Sequence, residues 1–269
     1  YRDLMSKLAD RYHVIAPDFP GFGVSDSPDR AKYSYTFDNI AKTMDGFTEA
    51  LALKRYALQV FDYGAPVGWR MAVAHPDRIT AIISQNGNAM TIHQGSDKLA
   101  INWQSFGIQS GQSVQFAQPG SSSVALNRVI GSDPSNILGS LSSNGKVFLV
   151  NPNGILFGAG ASVNVGGLLA STMAISDANF MANNYTFSGA GAGSVVNQGS
   201  INAADGGYVA LLGANVSNQG VIAARLGTVA LAAGNAVTLD MAGDKLLNIT
   251  VNQGAVNALV DNGGMIQAD

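Results

Sequence analysis

The sequence predicts a mainly β protein, a parallel β-helix (β-solenoid) preceded by an incomplete α/β segment. Three observations predict it: a sharp break in composition near residue 89, a repeat of about 21 residues in the second part, and alternation of strand with helix in the first. Residues 1–89 hold 20 of the 33 charged residues (15 basic plus 18 acidic), residues 90–269 hold 13, and no glutamate follows Glu49. Glycine moves the other way, 6 before residue 90 and 26 after, and asparagine goes from 3 to 19. So sharp a shift marks a domain boundary, which divides the chain into 1–89 and 90–269. Asn86-Gly-Asn-Ala-Met90 offers no Pro/Ser-rich linker, so the halves meet like two fragments fused directly.

Whole-chain arithmetic excludes several functions. With no cysteine there is no disulfide framework, thiolate zinc site or cysteine nucleophile. A net charge of −3 and a pI near 5.5 leave no basic footprint, so nucleic acid is not an expected partner. No apolar run reaches the length of a membrane-spanning helix, and no metal or cofactor is expected. The chain opens at Tyr1-Arg-Asp without the two regions of a signal peptide, so its true start is expected to be missing.

In residues 1–89, Tyr12-His-Val-Ile-Ala16 reads as a short strand running into the turn-rich Pro17-Asp-Phe-Pro-Gly-Phe-Gly23. Thr36 to Leu53 carries Ile40, Met44, Phe47 and Leu51 at helical spacing, with Thr36 as N-cap. Tyr56 to Val60 is a second strand, Gly64 to Ala74 a helix stopped by His75-Pro76, and Thr80 to Ser84 a third strand. Strand, helix, strand, helix, strand implies βαβ units on a parallel sheet.

Val60-Phe-Asp62-Tyr-Gly64-Ala places an acid at a sharp strand-to-helix turn flanked by small residues, the spacing of a nucleophile elbow. With Pro17-Asp-Phe-Pro-Gly-Phe-Gly-Val-Ser-Asp26 upstream, the segment resembles the epoxide hydrolase and haloalkane dehalogenase branch of the α/β-hydrolases. The resemblance implies that Asp62 stands where the nucleophile attacks carbon and that the Tyr63 N–H supplies half of an oxyanion hole. It also places the family's oxyanion loop, lid, relay acid and catalytic histidine outside 1–89. The three histidines are His13, His75 and His93, and His75 lies roughly 20 Å from Asp62 along a helix. Without a base to activate water, Asp62 could at most form a trapped ester. No catalytic set is expected, and residues 1–89 alone leave apolar sheet faces bare.

In residues 90–269, Val196-Asn-Gln-Gly199-Ser-Ile201 recurs as Val216-Ser-Asn-Gln-Gly220-Val-Ile222, with Asn197 and Asn218, Gly199 and Gly220, and Ile201 and Ile222 each 21 apart. Tyr208-Val-Ala-Leu211 matches Thr228-Val-Ala-Leu231, and Val251-Asn-Gln-Gly254-Ala-Val256 reads as a degenerate third copy. This period suits one coil of a parallel β-helix. Inward aliphatic side chains stack from coil to coil, asparagines form a ladder, and glycines are expected at corners with positive φ.

Several runs then closely resemble the amino-terminal secretion domain of filamentous haemagglutinin-type exoproteins: Leu99 to Ile108, Val124-Ala-Leu-Asn127-Arg128-Val, Asn144 to Gly158, Val163 to Thr172, and Gly254 to Gly264. The resemblance covers essentially all of 90–269. It implies a right-handed β-helix, secretion to the cell surface or beyond, and recognition by an outer-membrane transporter of two-partner secretion. It also implies an adhesin-like exoprotein whose remainder meets a host-cell or surface receptor. The family tetrapeptide falls on Asn151, Pro152, Asn153 and Gly154, a strong turn in its own right. Asn127-Arg128 is the second polar pair expected to matter, Arg128 in a partnered structural role.

The family's domain normally begins with a signal peptide and a capping segment, and here the hydrolase-like strand stands in their place. An uncapped first coil is expected to expose unpaired backbone groups.

Overall fold

The structure, a computed structural model, describes residues 2–86, 88–189, 191–240, 247–254 and 258–268. It divides into two compact units, Tyr1–Ser84 and Gln85–Asp269.

The first unit contains α1 (Arg2–Leu8), α2 (Phe37–Ala50), β1 (Tyr56–Phe61), α3 (Gly64–Ala74) and β2 (Ile79–Asn86). Thr36 caps α2, its hydroxyl accepting from the Asn39 N–H at 3.2 Å. The apolar stripe Ile40, Ala41 and Met44 then packs on Val67 and Met71 of α3. Neighbouring strands β1 and β2 pack Val60, Ile79 and Ile82 together. A Cβ on Gly68 would lie 2.5 Å from Val60 Cγ1, so a side chain there would push α3 off the strand. Sequence reasoning did not anticipate α1. The expected strand at Tyr12–Ala16 does not form: Tyr12 is a bend and residues 13–16 have no regular structure. A strand exists through its ladder, and no described strand of this unit pairs with these residues.

The second unit winds as a β-solenoid of parallel sheets. Its first coil gives β3 (Ala89–Gln94) and β4 (Lys98–Trp103), and the next gives β5 (Ser113–Ala117), β6 (Val124–Val129) and β7 (Ser135–Ile137). Then follow β8 (Ser140–Ser143), β9 (Lys146–Val150) and β10 (Ile155–Phe157), and after them β11 (Ser162–Val165) and β12 (Gly167–Ser171). An excursion of α4 (Asp177–Met181) and β13 (Tyr185–Ser188) precedes β14 (Ser194–Asn197), which completes that coil. Next come β15 (Ser200–Ala203), β16 (Tyr208–Gly213) and β17 (Asn215–Asn218), then β18 (Val221–Ala224) and β19 (Thr228–Ala233). A second excursion, β20 (Ala236–Asp240) and β21 (Asn248–Gln253), leads to β22 (Leu259–Asn262) and β23 (Met265–Gln267).

Like strands stack. One sheet runs β3-β5-β8-β11-β15-β18-β23, a second β4-β6-β9-β12-β16-β19 and a third β7-β10-β14-β17-β22, with parallel pairing throughout. Register carries one aliphatic row along the first sheet, Val114, Leu141, Val163, Ile201, Ile222 and Ile266. Leu141 through Ile222 are fully buried, whereas Ile266 in the last coil is 39% exposed.

The repeat of 21 maps onto the corner between the third sheet and the first. Asn197 donates to Asn218 Oδ1 at 2.8 Å and Asn218 donates to Asn262 Oδ1 at 2.7 Å, a carboxamide ladder inside the coil. Two expectations are corrected here. The third member of the ladder is Asn262-Gly263-Gly264, not Val251 to Val256. The described part of that run lies in β21, which pairs antiparallel with β20 outside the solenoid sheets, and residues 255–257 lie outside the described residues. At this corner Gly220 and Gly264 serve by closeness rather than by positive φ, which is found instead at Gly111, Gly154 and Gly206. A Cβ on Gly220 would sit 2.1 Å from the Gly199 carbonyl oxygen, and one on Gly264 2.2 Å from that of Gly220.

Truncating the middle of the buried row should cost far more than truncating its end. Ile201→Ala is expected to lower stability by about 2–5 kcal/mol in chemical denaturation, and Ile266→Ala by clearly less. Equal losses would contradict a core built from stacked rows.

Candidate functional site

The turn Asn151-Pro152-Asn153-Gly154 joins β9 to β10, carrying the chain from the second sheet to the third. It is tied to the coils on both sides. Asn151 is fully buried and spends its whole carboxamide locally: Nδ2 donates to the Asp133 carbonyl and to Ser135 Oγ, both at 3.0 Å. Its Oδ1 accepts from the Asn153 N–H at 3.0 Å and from Asn153 Nδ2 at 3.2 Å. Its N–H reaches forward to the Ser171 carbonyl at 2.9 Å. Asn153 is exposed and donates to the Gly131 carbonyl of the preceding coil at 2.9 Å, while Pro152 is half-buried.

Gly154 has φ +117, a conformation that L side chains resist, and its N–H closes the turn on the Asn151 carbonyl. The following coil presses onto this turn. A Cβ on Gly193 would lie 2.2 Å from Gly154 N, and the Gly193 N–H donates to the Pro152 carbonyl. The tetrapeptide is therefore a corner whose hydrogen bonds span three coils.

Asn127 and Arg128 are consecutive on β6 and face opposite sides of the second sheet. Asn127 points into the core and is fully buried. Its Oδ1 accepts from the Trp103 indole N–H at 3.0 Å, and Nδ2 donates to the carbonyls of Ala125 and Phe148. Arg128 faces the outer side, where its guanidinium binds Asn102 Oδ1 at 2.9 Å, the Ile175 carbonyl at 2.8 Å and Asp177 Oδ1 at 2.7 Å. Both are consumed by contacts within this unit and neither is brought to the tetrapeptide.

Sequence reasoning did not single out Lys98, which donates to the carbonyls of Phe180 and Met181, both at 2.7 Å. Burial holds its ammonium pKa below the usual lysine range. The available signal was Ser176-Asp-Ala-Asn179, a helix N-cap pattern interrupting strand sequence; the Ser176 hydroxyl accepts from the Asn179 N–H.

In the first unit, Asp62 sits at the strand-to-helix turn with φ +50 and an exposed side chain. Ala52, Asn183 and Leu226 share this uncommon positive φ, and at Asp62 it makes the strand-to-helix turn sharp. Tyr63 begins α3 with its ring 5.7 Å from Phe37 and 6.5 Å from Phe22, and is 59% exposed. The upstream Asp18 folds its own loop: its carboxylate accepts from the Val24 N–H at 3.1 Å and its carbonyl from the Ser25 hydroxyl at 2.7 Å. His75 stands at the far end of α3, with Nε2 3.6 Å from Asp45 Oδ2. Burial raises the Asp45 pKa, with His75 and Arg78 opposing. His13 is exposed in the unpaired segment. Among the described residues, no hydrogen bond or ion pair joins Asp62 to an imidazole. Among the described residues, no group of three or more His, Cys, Asp or Glu gathers as metal ligands.

The buried and exposed asparagines of the tetrapeptide should behave differently. Asn151→Ala strands Ser135 and two backbone groups, and is expected to cost about 2–4 kcal/mol in thermal or chemical denaturation. Asn153→Ala, at the exposed position, should cost about 1 kcal/mol or less.

Comparison with known proteins gives two matches that overlap at residues 73–110. The family model described as TPS secretion domain matches residues 73–269, and that described as alpha/beta hydrolase fold matches residues 1–110. A heme/hemopexin-binding protein of Haemophilus influenzae is 38% identical over 198 residues, covering 70% of this chain and 22% of that protein. Haloalkane dehalogenase 2 of Mycobacterium tuberculosis is 35% identical over 86 residues, 32% of this chain and 29% of that enzyme. An uncharacterized hydrolase of Saccharomyces cerevisiae is 43% identical over 89 residues, 33% of this chain and 30% of that protein. The chain thus spans less than a third of each of these relatives. The crystal structure of the HMW1 secretion domain from Haemophilus influenzae superposes with a TM-score of 0.63 at 36% identity, over 70% of this chain and 50% of that one. With the secretion-domain match covering most of the sequence and the solenoid shared with a solved member, the chain belongs to the TPS secretion domain family.

Proposed function

We propose that the solenoid unit is a non-enzymatic export module, recognised by the periplasmic part of an outer-membrane two-partner secretion transporter. Its parent is a secreted or cell-surface exoprotein. The observation that carries this reading is the family match over 73–269 laid on a solenoid whose buried asparagines are spent on holding coils together. Adhesion or receptor binding is assigned to the parent protein beyond this domain. Within the tetrapeptide, Asn151 is the fold determinant and Asn153, with its exposed carboxamide, is the position available to a partner.

A pull-down of the full chain with the periplasmic domains of a cognate transporter tests the proposal. Binding by the native sequence is expected, with a loss of about tenfold in affinity for Asn153→Ala, a variant expected to fold. Absence of any binding by the native sequence would overturn the transporter assignment. Unchanged binding by Asn153→Ala would remove that residue from recognition.

The second reading is hydrolysis of epoxides or haloalkanes through Asp62, which its φ of +50 and the dehalogenase relative favour. We infer that this activity is absent. The carboxylate could displace a leaving group to form an ester, but among the described residues no base is bonded to it to activate water for the second step. Mass spectrometry after exposure to a haloalkane should show no accumulating alcohol and at most one ester on Asp62. Steady release of alcohol or diol would contradict this inference.

A further inference from the structure

The second sheet of the solenoid is buried on both faces. Its outer face carries a row of Leu126, Phe148, Leu169 and Ala210, paired coil to coil. Water is excluded from that row by the two excursions. Phe180 on α4, Tyr185 and Phe187 on β13, and Val237 and Leu239 on β20 pack against it in one apolar cluster, with Phe148 at the centre of three ring contacts. β13 and β20 pair antiparallel, and β20 pairs with β21. These strands form a sheet of their own and add no rung to the three solenoid sheets.

Two cations from early coils grip α4 at its opposite ends. Arg128 on β6 holds Ile175 and Asp177 at the start, and Lys98 on β4 holds the last carbonyls while lying over the rings of Phe180 and Tyr185, at 5.4 and 5.9 Å. These bonds close loops of 47 to 83 residues, and β13 meets β20 about 50 residues later in sequence. Solenoid rungs close shorter loops, 21 residues from Asn197 to Asn218 and 44 from Asn218 to Asn262 where an excursion intervenes. Longer closures cost more chain entropy and form later. Elements that share no ladder with the sheets beneath can open separately from them.

We propose that α4, β13, β20 and β21 act as a strap that opens as one cooperative unit while the parallel sheets stay wound, with Lys98 and Arg128 as its latches. Closed, the strap seals the apolar outer face of the second sheet. Open, it bares that face without unwinding a coil.

Hydrogen exchange of the full chain over a series of sub-denaturing urea concentrations tests this. Amides of β13, β20 and β21 should exchange through a shared opening with a shallow urea dependence. Amides of β11 and β15 should exchange only through a steeper, global opening. Lys98→Met keeps the aliphatic stem and removes the ammonium; it should speed exchange in the strap strands roughly tenfold and leave β11 and β15 unchanged. If that variant does not fold, Asp177→Ala at the exposed end of the other latch should give the same selective acceleration on a smaller scale. A common urea dependence for both sets, or equal acceleration in strap and coils, would show a single unit and overturn the proposal. So would no acceleration anywhere.

Discussion

Register between successive coils is the constraint on which the rest of the second unit depends. Each strand of the three solenoid sheets bonds to its counterparts in the neighbouring coils, so one row of side chains is shared by the whole stack. Val114, Leu141, Val163, Ile201 and Ile222 are neighbours because the coils repeat, not because they are close in sequence. A slip of one residue would turn that row outward. The asparagine ladder resists such a slip, because each buried carboxamide has its acceptor only when the corners align.

Polar residues inside the stack follow the same logic. Asn127 satisfies the indole of Trp103, and Asn151 holds the Asp133 carbonyl, the Ser135 hydroxyl and its own turn together. Each is fully buried, and leaving its partners unpaired would cost more than the bonds contribute when made. That asymmetry explains why a domain with few charges keeps uncharged amides at fixed corners. Charge is instead placed on the outer face of the second sheet, where Lys98 and Arg128 connect early strands to a helix far along the chain. The first unit is held by different means, a two-helix layer on β1 and β2 with a strained aspartate at the elbow. Asp62 holds its positive φ there, and among the described residues no ion pair or hydrogen bond joins it to a histidine.

Legibility in the sequence followed the range of the interactions. α2 with its Thr36 cap, β1 and α3 were readable because caps and apolar spacing are local. The 21-residue corner was readable because it repeats. Tyr12–Ala16 misled because its apolar composition suits a strand, but the ladder that would make it one lies beyond local sequence. Val251 to Gln253 misled for the converse reason. It carries the Asn-Gln spelling of the corner, yet β20 claims it, and the corner position passes to Asn262.

By itself the sequence determined the break between two kinds of chain, the solenoid period, the corner asparagines and the sharp turn at Asp62, all encoded in composition, spacing or short motifs. Only the tertiary structure decided that the corner glycines serve by contact with the coil below, that Asn127 and Arg128 face opposite sides of one sheet, and that α4, β13 and β20 lie across the outer face. Those outcomes depend on which residues meet after 20 to 80 intervening ones, and a pattern within one coil carries no record of the coil it will rest on.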